Sequence, residues 1–191
     1  MPERGRPSGA RHVALLRGIN IGTAKRVAMA DVRAVLEDLG YGNVRTLLNS
    51  GNVVFDGGRA APARLAAGIE KAMATTLGVS ARVFVFTASD LEAVVRENAL
   101  GGVARDPSRL GVAFYASPAD RSRLAPLARR QWKPEALSLG SRAAYMWCPG
   151  GFLKGRLPAE VGAVLKDATT TRNWATVQKL HALVTAPVLS P

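Results

Sequence analysis

The stretch "NVRTLLNSGNVVF" (43–55) constrains the fold more than any other part of the chain. Two apolar runs flank Asn49-Ser50-Gly51 so closely that only a tight turn fits between them. The strands they form must therefore be adjacent and antiparallel. A helix precedes this hairpin: "ADVRAVLEDL" (30–39) repeats Val32, Val35, Leu36 and Leu39 at helical spacing and stops at Gly40. Another follows it, "PARLAAGIEKAMATTLG" (62–78), opening with Pro62 and closing with Gly78. The strands "HVALLRGI" (12–19) and "ARVFVF" (81–86) complete the order β-α-β-β-α-β, the ferredoxin-like unit, whose antiparallel sheet carries two helices on one side. "VALL" and "NVVF" are apolar throughout rather than alternating, so the second face of that sheet should be covered too. The rest of the chain is the candidate cover.

The second half repeats the theme. "ASDLEAVVRENA" reads as a helix, "LGVAFYAS" (110–117) as a strand, and "PADRSRLAPLARRQW" (118–132) as a helix interrupted or kinked at Pro126. "EALSLG" and "AAYMWC" form a second hairpin around Ser141-Arg142, followed by the helix "PAEVGAVLKDA" (158–168). "TRNWATVQKLHALV" (171–184) is expected to be the last helix, capped by Thr170 or Thr171. So β-α-β-β-α recurs over 110–168, without any residue-level repeat. The expected architecture is α+β, a ferredoxin-like N-terminal half packed against a second, approximately similar half. Its expected divisions are a disordered basic tail (1–11), a subdomain over 12–87, and a second subdomain with the C-terminal helix over 88–191.

Composition narrows the function classes. At 191 residues and 48% hydrophobic, the chain can bury a real core. No apolar run approaches the roughly 18 residues needed to cross a bilayer. The basic, Pro/Gly-rich opening "MPERGRPSGAR" lacks an apolar signal core, so a soluble cytoplasmic protein without membrane partners is the expectation. Cys148 is the only cysteine, which excludes an internal disulfide and a thiolate metal cluster. His12 and His181 have no ligand partners at metal-binding spacing, so neither metal nor cofactor is expected. The formal net charge of +12 is the most unusual bulk property, and it favours anionic partners, nucleic acid among them.

Catalytic motifs are missing at the places where they would be sought. A nucleophile elbow around Ser50 needs glycine two residues before and after it, where this chain has Leu48 and Asn52. Ser50-Gly51 instead fits a hairpin turn, with glycine taking a positive φ and the asparagine amides bonding local backbone. "RGINIGTAKR" (17–26) lies between a strand and a helix, but Gly18, Gly22 and Lys25 match neither dinucleotide-binding nor phosphate-loop spacing. What remains is a polar loop with Arg17, Asn20 and Lys25 as anion-binding candidates. No catalytic residue can be assigned.

Taken together, "VALLRGINIG", "VRTLLNSGNVVF" and "TTRNWATVQKL" resemble the DUF1697 family, a set of proteins of unknown function, in the family's motif order. The resemblance spans roughly 12–184. It rests on Arg17, Gly18, Asn20, Ser50, Gly51, Asn52, Thr171, Arg172, Asn173 and Trp174. It implies an α+β fold with a ferredoxin-like N-terminal part and brings no activity, cofactor or catalytic residue. "GTAKRVAM" departs from the family's Gly-Gly-Lys-Asn-like loop, and Asn49 stands where glutamine is usual.

Three functions compete. A nucleic-acid or polyanion binder would use arginine-rich surface, with "RRQWK" (Arg129, Arg130, Lys133 beside Trp132) as the candidate cluster. Such binding would run through phosphates and be steeply salt-dependent. A small anionic-ligand protein or enzyme would gather Arg17, Asn20, Lys25, Asn52, Arg172 and Asn173 around a carboxylate or phosphate. Arginine and amides supply recognition without proton transfer near neutral pH. A structural or interaction protein would use the same motifs as packing junctions. Oligomeric state is not readable from the sequence.

Overall fold

The computed structural model describes residues 10–20 and 26–187, without the side chain of Leu153. Lys25 and most of the expected basic tail lie outside the described residues. The described chain forms two compact units: the residues up to Ala88 together with those from Ala182 onward, and Ser89–His181.

The first unit contains β1 (Arg11–Arg17), α1 (Met29–Asp38), β2 (Gly42–Leu47), β3 (Asn52–Asp56), α2 (Pro62–Leu77) and β4 (Arg82–Thr87). Its antiparallel sheet has the order β2-β3-β1-β4, the ferredoxin-like arrangement expected from the sequence. Helix α1 turns Val32, Val35 and Leu36 inward, and α2 turns Leu65, Ile69 and Met73. These meet Ala14, Leu16, Val53, Phe55, Val83 and Val85 from one face of the sheet in a single apolar core. The opposite face carries Val13, Leu15, Val54, Phe84 and Phe86, all buried as well. That double burial explains why the strands read as continuous apolar runs. Arg11 secures the edge of the unit: its guanidinium pairs with Asp56 at 3.4 Å and donates to the carbonyls of Val184 (3.1 Å), Leu183 and Ala186.

The second unit contains most of α3 (Ala88–Arg96), then β5 (Leu110–Tyr115), α4 (Ala119–Ala128), β6 (Ala136–Leu139), β7 (Ala143–Trp147), α5 (Arg156–Leu165) and β8 (Thr169–Asn173). The last helix, α6 (Trp174–Thr185), begins here and ends among the residues assigned to the first unit. The sheet order is β6-β7-β5-β8, again antiparallel throughout. Helices α4 and α5 contribute Leu124, Leu127, Leu157, Val161 and Leu165 to a core with Ala113, Tyr115, Ala144 and Met146. On the other face the Tyr145 hydroxyl donates to the Val94 carbonyl of α3 at 2.6 Å, and Arg142 pairs with Asp90 at 3.1 Å.

One expectation is overturned. Residues 169–173 form strand β8, not a helix cap and first helical turn, and Thr171 faces Ala113 across the ladder. The run "TTTRN" contains no aliphatic residue beyond its threonines, but β-branched Thr suits a strand, and Thr169 and Thr170 are buried in this one. The helix starts at Trp174, and its cap is Asn173, whose Oδ1 accepts the N–H of Thr176 at 2.9 Å. With β8 in place, the second unit has the complete β-α-β-β-α-β order.

Candidate nucleic-acid interface

Helix α4 ends two residues beyond Pro126, at Ala128, and the chain turns through 129–135 before entering β6. Pro126 removes the backbone donor that would reach the Ser122 carbonyl, which weakens the hydrogen-bond ladder of this last part of the helix. Trp132 holds the turn in place. It is only 9% exposed, belongs to the α4/α5 core, and donates its indole N–H to the Leu127 carbonyl at 2.8 Å. The Arg130 guanidinium lies over the indole, 4.6 Å from the ring centroid, and pairs with Glu160 of α5 at 3.1 Å. Glu135 accepts the N–H of Leu157, in the first turn of α5, at 2.9 Å.

These contacts lay 129–135 along the start of α5. Arg129 and Lys133 thus lie on a stretch that runs beside the one carrying Lys154 and Arg156, which flank Gly155. All four are exposed, and none has an ion-pair partner among the described residues. Glu135 and Glu160 are committed to α5 and Arg130. With Arg130, the four cations outnumber the two carboxylates beside them, Glu135 and Glu160, and leave a net positive surface suited to phosphates. Lys154 and Arg156 are absent from the sequence reading. The basic pair in "LKGRLP" is visible as text, but its placement beside 129–135 depends on contacts some twenty-five residues away in sequence.

The other candidates fall in different surroundings. In the first unit, Asn20 has φ +54° and uses both ends of its amide locally. Its Oδ1 accepts the Val27 N–H (2.7 Å), and its Nδ2 donates to the carbonyls of Val27 and Asn49 (3.0 Å each). Asn52 is buried and donates to the Leu47 carbonyl and to Ser50 Oγ, both at 2.9 Å. The turn itself spans Leu48–Gly51, with φ positive at Leu48 and Gly51. Gly51 accepts the Leu16 N–H at 2.7 Å, and a Cβ at Gly51 would lie 2.8 Å from Leu16 Cβ and Ile19 Cδ1. The "RGIN" and "NSGN" stretches thus lock together. Arg17 is half-buried at the end of β1, opposite Arg82.

In the second unit, Arg172 and Asn173 are neighbours on β8. Arg172 donates to Thr170 Oγ1 and the Thr171 carbonyl, each at 2.9 Å, and burial lowers its pKa to about 10. Cys148 is buried, and desolvation pushes its thiol up to about 12. Among the described residues, no group of three or more His, Cys, Asp and Glu side chains is placed to hold a metal ion. No described helix is long and apolar enough to cross a membrane.

Two units of equal strand order, one with a basic face beside its α4–α5 pair, define an α+β protein of double ferredoxin-like build. The family described as "Protein of unknown function (DUF1697)" matches residues 10–145, and the chain belongs to that family. The match stops at Tyr145, before the third motif and before Lys154 and Arg156. No curated protein matches the chain. Among solved structures it is similar to the conserved bacterial protein SP0830 from Streptococcus pneumoniae, at 25% identity and a TM-score of 0.74, over 92% of this chain and 99% of that one.

Proposed function

We propose that this protein binds nucleic acid through its phosphates, at the basic face formed by 129–135 and the start of α5. The observation that carries this reading is that 129–135 runs beside the start of α5, so that Arg129, Lys133, Lys154 and Arg156, all exposed and without ion-pair partners among the described residues, belong to adjoining stretches. Arg130, between Arg129 and Lys133 in sequence, is held by Trp132 and Glu160. The net charge of +12 adds a long-range attraction that is screened by salt.

The test is fluorescence anisotropy of nucleic-acid-free protein with labelled oligonucleotides across a salt series. Wild type is compared with a chain lacking residues 1–9, which keeps Arg11 in β1, and with Arg129→Ala/Arg130→Ala. Salt-sensitive binding that survives the truncation and weakens in the double variant supports the folded face. Binding lost with the tail alone transfers the activity to residues 1–9. A second reading, a small-anion contact at Arg172, is favoured by the desolvated state of that guanidinium. Stabilisation of wild type by phosphate or citrate in a thermal-shift assay, lost in Arg172→Gln, would favour it.

A further inference from the structure

Resting on the phosphate-binding reading above, we infer that the face is directed at the double-helical backbone, that it reads no bases, and that Lys154 and Arg156 are two of its contacts. Proteins that hold single strands draw much of their affinity from bases stacked on exposed aromatic rings. This chain has five Phe, three Tyr and three Trp, and none of them is an exposed residue. The central strands β1 and β3 of one sheet and β5 and β7 of the other are buried along almost their whole length. Neither sheet therefore offers the open platform on which ferredoxin-like RNA-recognition domains stack bases. Trp132, the one aromatic within the basic cluster, is buried, and the Arg130 guanidinium lies over its ring.

With stacking removed, the remaining attraction is charge against charge, and it scales with the linear charge density of the partner. A duplex presents one phosphate per about 1.7 Å of axis, and its affinity falls with salt at about 0.9 log units per neutralised phosphate, against about 0.7 for a single strand. Four contacts from Arg129, Lys133, Lys154 and Arg156 give expected slopes of about −3.6 on duplex and about −2.8 on single strand. The only uncharged amide in the cluster able to address a base edge is Gln131. It takes no part in the inferred contact.

The experiment measures anisotropy of the full chain on a labelled duplex and on its separated strand, in several unrelated sequences, across a salt series. Lys154→Ala/Arg156→Ala and Gln131→Ala are measured alongside, with circular dichroism to verify folding. The expected result is tighter binding to duplex, affinities within about two-fold between sequences, and a duplex slope reduced by about 1.8 in Lys154→Ala/Arg156→Ala. Gln131→Ala should bind as wild type does. Tighter binding to the single strand, a ten-fold or greater sequence preference, or an unchanged slope in Lys154→Ala/Arg156→Ala overturns the inference while leaving phosphate binding intact. Absence of binding to either form at low salt overturns the phosphate-binding reading and the inference with it.

Discussion

Gly51 bears more of the first unit than its size suggests. Its φ of +77° is open to glycine and costly to other residues, and a methyl group there would meet Leu16 Cβ and Ile19 Cδ1 at 2.8 Å. Gly51→Ala should lower the unfolding free energy by about 2–4 kcal/mol, combining backbone strain with overpacking. Chemical denaturation measures this directly, and a loss below about 0.5 kcal/mol would contradict the locked junction. At the same scale, Cys148 lies at the other extreme of reactivity. Its thiol, raised to about 12 by burial, should not react with a disulfide reagent at about pH 8 until the protein is unfolded in guanidinium. Prompt modification of the folded protein would show that the thiol opens to solvent. The glycine's turn conformation was legible in the sequence. Its close approach to Leu16 and Ile19 was not, since it depends on how β1 and the turn meet in space.

Between elements, the C-terminal end of α3 is joined to the β6–β7 turn by one carboxylate. Glu97 accepts the Ser141 N–H at 2.6 Å and the Ser141 hydroxyl at 3.0 Å, and the backbone bond is the main reason its pKa lies below the ordinary value. A carboxylate with a depressed folded pKa contributes stability above its unfolded pKa and loses that contribution as pH falls through the folded value. Glu97→Gln should therefore melt below wild type at neutral pH, and the gap should close as the pH falls below about 4.5. A gap independent of pH would assign the effect to packing instead. Elements with aliphatic periodicity, such as α2 and β5, were readable from sequence because burial dictates the period. Strand β8 was not: "TTTRN" has no alternation, and its strand state comes from pairing with β5. The basic face was half readable for a related reason. "RRQWK" is a run of text, whereas Lys154 and Arg156 join it only through the Arg130–Glu160 and Glu135–Leu157 contacts.

At the scale of the whole molecule, both sheets follow one plan, β2-β3-β1-β4 and β6-β7-β5-β8, although their sequences show no residue-level repeat. The same order of burial can be specified by different apolar residues, which is why pattern survives where identity does not. The carbonyls that accept from Arg11 belong to Leu183, Val184 and Ala186, so strand β1 and the end of α6 lie within a side chain's reach of each other. In topological terms the described chain is nearly a closed ring, and where a ring is cut is arbitrary. Joining Pro187 to Ala10 with a short Gly/Ser bridge and reopening the chain between Arg105 and Asp106 cuts an exposed loop and severs none of its backbone hydrogen bonds. This permuted chain should fold to the same circular-dichroism spectrum, with β1 no longer near a free end. Failure to fold would mean that the order of the two units along the chain, or the unbroken link between Arg105 and Asp106, is needed for folding.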